Sequence, residues 1–337
     1  MKTTKSHRPK IDRVLSPSRR SYSFAAKFIF MTRFFAWCLK HYNSHRVILN
    51  TASLVGISLF FVLSPVIGKL PGPSIPLVKA AYVSEPLLPT SLGVSPPELT
   101  AHGVFVMDLD SGLILYDKNP HLRLKPASLT KIMTSMVALD YFQEDDILKV
   151  KNGQNSIGNT AKLLKGDQLN ASDMLYALLV PSGNDAAVTL AENYPGGYIA
   201  FLKRMNEKVT ELGLKDTHFV NVSGIESPNH YTSAYDIAMI SRSALTRLSF
   251  SNIVSTKSIT LNSLKGHKYP LASTNILLGR PDVLGVKTGW TPEAGECLVI
   301  LVERDNHKVL ISLLNSTDRF GEGKRLIDWT YKNFTWQ

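Results

Sequence analysis

The amino-acid sequence predicts an α+β fold in which one sheet is built from the two ends of the folded region and a helical lobe is inserted between them. Two observations predict it. Strand-like apolar runs lie near residues 104–116 and again over residues 283–314, whereas apolar residues at helical spacing dominate the stretch between them. Strands at both ends with helices in the middle are typical of a single sheet closed by its termini.

The predicted strands are apolar runs that turn signals separate. A hairpin is expected near the start of the folded region, where residues 104–107 and 113–116 flank the turn Asp108-Leu109-Asp110-Ser111-Gly112. Asp305-Asn306-His307 is a second turn, so the strands on either side of it are expected to be antiparallel neighbours. The strands expected in the C-terminal part cover residues 283–288, 297–303 and 309–314.

The predicted helices begin with polar residues and continue with apolar residues at helical spacing. Ser128 stands at or near the start of the first helix, where serine is favoured as a cap. Ser233-Ala234-Tyr235-Asp236 has the character of a capping box. The helices are expected over residues 128–139, 170–180, 186–193, 197–212, 233–245 and 319–334.

The net charge of +11 belongs to an N-terminal tail. Residues 1–46 contain eleven Lys and Arg and one acidic residue, which gives +10 and leaves about +1 for the remaining 291 residues. A basic tail without a basic folded body does not favour nucleic-acid binding. We therefore expect no nucleic-acid partner, and we predict a cytoplasmic tail over residues 1–46.

An apolar stretch follows the tail. Residues 47–67 carry no charge and lie between Arg46 and Lys69, and this length is enough to cross a bilayer as a helix. The basic side comes first, which predicts a cytoplasmic N-terminus and an extracytoplasmic body. We predict a transmembrane signal anchor at residues 47–68 of a single-pass cell-membrane protein. A cleaved signal peptide is the alternative, because Val78-Lys79-Ala80 resembles a cleavage site.

Proline is concentrated after this stretch, since residues 65–97 contain eight of the eighteen prolines. Such a segment stays extended and semi-rigid. Residues 69–97 are therefore predicted to form a stalk, and residues 98–337 to form the folded domain.

The first chemical signal is Ser128-x-x-Lys131 at the start of the first helix. Residues three apart lie on the same helix face, and a hydroxyl within reach of an amine can act as a nucleophile with its base. Backbone N–H groups at a helix start also suit a developing oxyanion. The motif becomes specific only with partner motifs, and two follow it.

These partners are Ser182-Gly183-Asn184, in a loop between two predicted helices, and Lys287-Thr288-Gly289, at the end of a predicted strand. The trio is the signature of the penicillin-recognising serine enzymes. Among them the chain resembles the low-molecular-mass D-alanyl-D-alanine carboxypeptidases, serine peptidase family S11, over residues 98–337. The resemblance implies a fold of the β-lactamase and DD-peptidase type, with a five-stranded antiparallel sheet flanked by helices and an inserted helical lobe.

The resemblance also implies the chemistry. The substrate would be a peptidoglycan stem peptide that ends in D-Ala-D-Ala, and Ser128 would attack its penultimate carbonyl to form an acyl-enzyme. Lys131 would take the proton, which requires a pKa lowered by burial and by the nearby charge of Lys287. Ser182 would relay a proton to the leaving nitrogen, and Asn184 would bind a substrate amide and help to hold Lys131. β-Lactam antibiotics are expected as covalent inhibitors.

The remaining predicted roles concern binding. The backbone N–H groups of Ser128 and Trp290 would form an oxyanion hole. Lys287, Thr288 and Arg319 would hold the substrate carboxylate, and Gly289 would let the strand edge approach the substrate closely.

Three other functions stay open at this point. A β-lactamase on the same fold would need a deacylating glutamate between the second and third motifs, where Glu211 falls. A D-Ala cross-link endopeptidase would use the same residues, and a peptidoglycan-binding module would need no catalysis. No metal and no cofactor are expected, because the histidines show no ligand spacing: His121, His218, His230 and His267.

Overall fold

The computed structural model describes residues 87–152 and 157–336. The predicted tail, the predicted anchor at residues 47–68 and most of the predicted stalk lie outside these ranges. Within them, no helix has both the length and the hydropathy of a membrane crossing. The strands are β1 (Pro89–Ser91), β2 (Gly103–Asp108), β3 (Ile114–Lys118), β4 (Ile147–Lys149), β5 (Gln168–Asn170), β6 (Ser258–Asn262), β7 (Lys268–Ala272), β8 (Val283–Thr291), β9 (Gly295–Arg304), β10 (His307–Ser316) and β11 (Phe334–Trp336). The helices are α1 (Thr130–Tyr141), α2 (Ala171–Leu179), α3 (Asn184–Asn193), α4 (Gly197–Glu211), α5 (Ala234–Leu245), α6 (Leu248–Val254) and α7 (Arg319–Asn333).

A five-stranded sheet in the order β3-β2-β10-β9-β8 is the centre of the fold. Every neighbouring pair in it is antiparallel. Because β2 and β3 come from the N-terminal side and β8 to β10 from the C-terminal side, the predicted α+β sheet built from the two ends is confirmed. Strand β8 is an edge strand, so one of its sides is free to face other parts of the protein.

Both faces of this sheet are apolar, because alternate residues of its strands enter two different cores. In β9, Val299 packs with the helical lobe and Ile300 packs with α7 on the opposite face. In β2, Phe105 likewise packs with the helical lobe and Val106 packs with α7 on the opposite face. This explains why the strands read as nearly continuous apolar runs and not as a polar and apolar alternation.

The predicted turns and caps are largely confirmed. Asp305 and Asn306 both have positive φ, 51° and 63°, as expected for the tight hairpin turn between β9 and β10. The Ser233 side chain accepts a hydrogen bond from the Asp236 N–H and caps α5. Asn170 caps α2 in the same way.

Helix α6 and the four strands β1, β6, β7 and β11 were not predicted. Helix α6 and the β6–β7 hairpin follow α5, and β1 pairs antiparallel with β11. The hairpin escapes prediction because most of its residues are exposed and its apolar pattern is therefore weak. The pairing of β1 also moves the boundary predicted at residue 98, since residues 89–91 of the predicted stalk already belong to the folded unit.

A buried carboxylate joins the start of α7 to the entry of the sheet. Glu322 is completely buried. It accepts hydrogen bonds from the backbone N–H groups of Thr100 and Ala101 and from the Ser316 hydroxyl, the last at 2.8 Å. Without this carboxylate, the buried donors of Ala101 and Ser316 and the partly buried N–H of Thr100 would lose their acceptor.

We expect Glu322→Ala to lower the free energy of unfolding by about 2–4 kcal/mol, because buried donors left without partners each carry a desolvation cost. Urea denaturation measures this value. Glu207→Ala is the control, because Glu207 is exposed and only pairs with Lys203 and Arg204 on the surface of α4; its change should stay within about 0.5 kcal/mol. Equal effects of the two variants would contradict the role assigned to Glu322.

Candidate active site

The predicted nucleophile lies in a short turn that precedes α1. Residues Ala127–Leu129 form one turn of 3-10 helix, and α1 begins at Thr130. The predicted cap is wrong, because neither element has a side-chain cap hydrogen bond. Ser128 Oγ instead lies 2.9 Å from the Nζ atom of Lys131. The Ser128 hydroxyl therefore contacts the Lys131 amine and does not cap the helix.

Lys131 is completely buried on the first turn of α1. Its Nζ lies within hydrogen-bond distance of two oxygens, Ser128 Oγ at 2.9 Å and the backbone carbonyl of Ser223 at 2.6 Å. Burial, followed by the charge of Lys287, holds the pKa of Lys131 well below its usual range, while the charge of Asp185 acts in the opposite direction. A lowered pKa increases the share of the amine that is unprotonated and able to accept a proton.

Lys287 supplies the nearby charge from the edge strand β8. Its side chain is also buried, and its Nζ donates a 2.9 Å hydrogen bond to the Thr288 carbonyl. Burial and then the charge of Arg319 lower the pKa of Lys287 to about 7. The Thr288 hydroxyl forms a 2.6 Å hydrogen bond with the Thr274 hydroxyl. The predicted proximity of the two lysines is confirmed.

The second motif lies between α2 and α3, as predicted. Ser182 has a positive φ of 65°, and its buried hydroxyl has no hydrogen-bond partner among the described residues. Gly183 packs so closely that an added Cβ would lie 2.4 Å from the Ala177 carbonyl oxygen. The loop therefore holds Ser182 in an uncommon backbone conformation.

Asn184 does not hold Lys131, contrary to the prediction. Its Nδ2 donates to the carbonyl of Ile157, and its backbone N–H donates to the carbonyl of Asn159 at 2.7 Å. The Oδ1 atom is buried and has no partner among the described residues. Lys131 is held by the Ser223 carbonyl instead. Asn184 thus joins the 157–159 segment to the second motif and keeps one acceptor free.

Arg319 opens helix α7 and lies against the third motif. Its Nη1 donates a 2.8 Å hydrogen bond to the Gly289 carbonyl, and its backbone N–H donates to the Glu296 carboxylate at 2.8 Å. Its Nε is buried and has no acceptor among the described residues. Arg319 and Lys287 therefore concentrate positive charge beside β8, where an anionic group would be stabilised.

Gly289 and Trp290 differ sharply in their surroundings. A Cβ added to Gly289 would lie 3.1 Å from both the Pro126 carbonyl and the Ser128 nitrogen, so glycine allows β8 to approach the nucleophile turn itself and not only a substrate. Trp290 is 59% exposed. Its indole forms part of the rim of the site.

One cleft of about 650 Å³ connects the three motifs. The two lysines lie buried beside it. The other seven predicted site residues line it: Ser128, Ser182, Asn184, Thr288, Gly289, Trp290 and Arg319. The structure therefore brings together all nine residues that the sequence predicts.

Two contributors to the site were missed because neither belongs to a recognised motif. Asp185 is completely buried, and its carboxylate accepts 2.9 Å hydrogen bonds from the N–H groups of Ala161 and Leu163. Gly224 has φ +87°, and an added Cβ would lie 1.8 Å from the Ala127 carbonyl oxygen. Gly224 thus lets a second loop pack directly against the nucleophile turn, and only its position in three dimensions shows this.

A buried chain of hydrogen bonds also supports the nucleophile turn. The Thr130 hydroxyl donates to the Ala127 carbonyl at 2.9 Å and lies 2.8 Å from His230 Nε2. His230 Nδ1 accepts from the Val220 N–H at 3.0 Å. Burial, with smaller effects of Lys125 and His218, lowers the pKa of His230 to about 4. A neutral imidazole can accept at Nδ1 and donate at Nε2, so the chain is consistent along its whole length.

Two features outside the cleft bear on the alternatives. Glu211 ends α4 and forms two hydrogen bonds with the Arg204 guanidinium, and it does not line the cleft. Within the described ranges, His121, Asp216 and Asp236 place possible ligand atoms within 4.8 Å of one another. Asp216 already pairs with Arg123 and His121, so this cluster is explained by contacts within the chain.

The serine and lysine beside one helix, the Ser-x-Asn loop and the Lys-Thr-Gly edge strand define the class of penicillin-recognising serine enzymes. Comparison with family models then identifies the family. The D-alanyl-D-alanine carboxypeptidase family, Peptidase_S11, matches residues 90–318, and the chain belongs to it.

Individual relatives agree with this assignment. The chain is 33% identical over 244 residues to D-alanyl-D-alanine carboxypeptidase DacF of Bacillus subtilis. This alignment covers 69% of the present chain and 63% of DacF. It is also 33% identical over 266 residues to a D-alanyl-D-alanine endopeptidase of Pseudomonas aeruginosa. This alignment covers 71% of the present chain and 83% of the endopeptidase. The Streptomyces K15 DD-transpeptidase superposes with a TM-score of 0.68 at 30% identity and covers 71% of this chain and 100% of that one.

The match does not extend over the whole of the carboxypeptidase relatives. The chain spans 63%, 64% and 65% of the length of three of them. The similarity therefore covers the domain that carries the three motifs and not the full length of these relatives.

We expect Gly224→Ala to lower the free energy of unfolding by more than about 3 kcal/mol, because the new methyl group would overlap the Ala127 carbonyl in addition to the strain of a positive φ. Gly213→Ala is the matched control, since Gly213 has φ +70° and no atom lies within 4 Å of its added Cβ. Its cost should be about 1–2 kcal/mol. Urea denaturation of both variants gives the comparison, and equal costs would mean that the Gly224 contact is unimportant.

We expect Lys287→Met to raise the free energy of unfolding at pH 7, because a buried ammonium is replaced by an apolar chain of similar length. The pKa of Lys287 falls from 10.5 to about 7 on folding, so the unfolded wild type binds more protons between these values. Wild-type stability therefore rises with pH by up to about 1.4 kcal/mol per unit in this interval, and the advantage of the variant shrinks.

Urea denaturation at pH 7, 8 and 9 measures this difference. Lys203→Met is the control, because the Lys203 side chain is 78% exposed. A Lys287→Met advantage that stays constant over this pH range would contradict the burial argument.

Proposed function

We propose that the chain is a serine-type D-Ala-D-Ala carboxypeptidase that removes the terminal D-alanine from peptidoglycan stem peptides. One observation carries the proposal: a fully buried Lys131 amine lies 2.9 Å from the Ser128 hydroxyl, at the cleft that the other two motifs line. Family membership and relatives named as D-alanyl-D-alanine carboxypeptidases support the same reaction.

In the acylation step, Ser128 Oγ attacks the carbonyl carbon of the penultimate D-alanine, and the hydroxyl proton passes to Lys131 Nζ. The backbone N–H groups of Ser128 and Trp290 stabilise the oxyanion. The bond between this carbonyl carbon and the terminal D-alanine nitrogen then breaks. The proton returns from Lys131 through the Ser182 hydroxyl to that nitrogen, and D-alanine leaves.

In the deacylation step, water attacks the ester carbon and gives a proton to the Lys131 amine. The bond between this carbon and Ser128 Oγ then breaks, the proton passes from Lys131 to Ser128 Oγ, and the shortened peptide leaves. The Ser182 hydroxyl has no partner within residues 87–152 and 157–336, which supports its role as a relay. The free Oδ1 of Asn184 is available to accept a hydrogen bond from a substrate amide. β-Lactams would acylate the same serine, and their opened ring would occupy the cleft as a slowly hydrolysed ester.

The substrate carboxylate is proposed to bind at Lys287, Thr288 and Arg319. Positive charge from Lys287 and Arg319 lies beside β8, and the Arg319 Nε atom has no acceptor among the described residues. A carboxylate placed there would gain charge-assisted hydrogen bonds. No residue in this mechanism requires a metal or a cofactor.

A second activity is favoured by one relative. The Pseudomonas aeruginosa D-alanyl-D-alanine endopeptidase matches over 83% of its own length, more than the carboxypeptidase relatives do. Cleavage of a D-Ala cross-link would use the same serine and lysine with a longer leaving group. The β-lactamase alternative is not favoured, because Glu211 pairs with Arg204 and lies away from the cleft.

The proposed location is the bacterial cell membrane. Residues 47–68 would form a single transmembrane anchor with the N-terminus in the cytoplasm, residues 69–97 would lead out of the membrane, and the domain would face the peptidoglycan. The support is the sequence alone: 21 uncharged residues follow a tail of charge +10.

We expect a fluorescent penicillin to label the wild-type protein and not Ser128→Ala. Lys131→Arg should reduce labelling to near background although the positive charge is kept, because arginine cannot give up its proton at working pH. Gel fluorescence after timed incubation measures labelling. In parallel, mass spectrometry of purified muropeptides should show loss of one terminal D-alanine with the wild type only.

Two results would contradict the proposal. Absence of labelling in the folded wild type would favour a non-catalytic peptidoglycan-binding module. Cleavage of cross-linked muropeptides without release of terminal D-alanine would favour the endopeptidase.

A further inference from the structure

Residues 221–227 form a loop beside the nucleophile, here named the Asn221 loop, that none of the three motifs includes. It touches the site at two points. The Ser223 carbonyl lies 2.6 Å from Lys131 Nζ, and Gly224 packs against the turn that carries Ser128. Both contacts use backbone atoms, so they depend on the shape of the loop backbone.

The side chain of Asn221 determines that shape. Its Oδ1 accepts hydrogen bonds from the backbone N–H groups of Ser223 at 3.1 Å and Gly224 at 2.7 Å. Its Nδ2 donates to the Ile225 carbonyl at 2.7 Å and to the Ser227 hydroxyl at 3.3 Å. One amide group thus closes the loop from both sides, a pattern in which asparagine replaces backbone contacts.

We propose that Asn221 is a positioning residue for acylation: by closing the loop, it presents the Ser223 carbonyl to Lys131 and so directs the amine toward Ser128. This inference rests on the proposed function, since it assumes that Lys131 acts as the base. It assigns no contact with substrate to Asn221.

The orientation follows from the hydrogen-bonding capacity of a neutral amine, which has two N–H donors and one lone pair. When one N–H is given to the Ser223 carbonyl at 2.6 Å, the amine can no longer rotate freely. The lone pair can then accept the Ser128 hydroxyl proton across the 2.9 Å separation. A general base must be both within reach and correctly oriented, and loss of orientation lowers its efficiency.

The charges around Lys131 set how the amine titrates. Lys287 on β8 disfavours the ammonium, and Asp185 at the start of α3 favours it. The Ser223 carbonyl is a third influence, because a carbonyl oxygen accepts more strongly from an ammonium than from an amine. Displacing this carbonyl should therefore lower the pKa of Lys131 further, and a negative charge at position 221 should raise it.

The chain offers a matched control in Asn206. Its Oδ1 accepts from the Phe219 N–H at 2.9 Å, and its Nδ2 donates to the Phe219 carbonyl at 2.8 Å. Both asparagines are partly buried and hold backbone of the same segment. Asn206 fixes the chain two residues before Asn221, and its side-chain hydrogen bonds within the described structure go to Leu202 and Phe219 and not to the Asn221 loop. It therefore separates a structural effect from an effect on Lys131.

The test measures the second-order rate of acylation by a fluorescent penicillin between pH 5 and pH 9 for the wild type, Asn221→Ala, Asn221→Asp and Asn206→Ala. On the plateau of the pH–rate profile, Asn221→Ala should acylate at least about tenfold more slowly than the wild type. The acid limb of its profile, where the rate falls as Lys131 becomes protonated, should move to lower pH. Asn221→Asp keeps the acceptor for Ser223 and Gly224, so it should retain more of the rate, and its acid limb should move to higher pH. Asn206→Ala should lose stability without changing the profile.

The outcomes are distinguishable. A plateau rate and an acid limb equal to the wild type in Asn221→Ala would overturn the inference, as would the same loss in Asn206→Ala. If Asn221→Ala does not fold, the acid limb of Asn221→Asp decides alone, and an unshifted limb overturns the inference. A folded wild type that no penicillin labels would instead mean that the proposed function is wrong.

Discussion

The burial of two lysine amines beside one serine is the constraint on which the rest of the structure depends. Lys131 and Lys287 are both excluded from water, and an ammonium in such surroundings is costly unless it is paired or loses its proton. Among the described residues, the carboxylate that acts on Lys131 is that of Asp185, and it is itself engaged by backbone N–H groups. The site therefore lowers the proton affinity of both amines instead of neutralising them with a salt bridge.

This constraint explains why four parts of the chain meet so tightly. Strand β8 brings Lys287, helix α1 brings Lys131, the second motif brings Ser182, and the Asn221 loop brings a carbonyl. Two of these approaches require a glycine where the backbone meets the nucleophile turn, namely Gly289 and Gly224, and Gly183 lets the second motif pack against the Ala177 carbonyl. The two apolar cores on either face of the sheet, one with the helical lobe and one with α7, supply the stability that such a strained and charged centre lacks.

The sheet, most helices and the three motifs could be predicted from the sequence, because these features depend on local patterns. Strands β8 to β10 are long apolar runs, and Ser128 and Lys131 are three residues apart. The sequence did not predict the Asn221 loop, since the contact between Ser223 and Lys131 joins residues 92 positions apart through backbone atoms that any residue possesses. The predicted contact between Asn184 and Lys131 was wrong for a related reason: the Asn184 amide is held by the Ile157 carbonyl, to which its Nδ2 donates, and no motif indicates that hydrogen bond.

The pairing of β1 with β11 determines where the folded unit begins relative to the cleft. Leu92 and Val94 hydrogen-bond to Asn333 at the last turn of α7, whereas Arg319 at its first turn lies against the cleft. A helix of 15 residues is about 22 Å long. The first strand of the folded unit therefore packs at one end of α7 and the cleft lies at the other end, so the N-terminal entry of the domain and the mouth of the cleft are separated by the length of that helix.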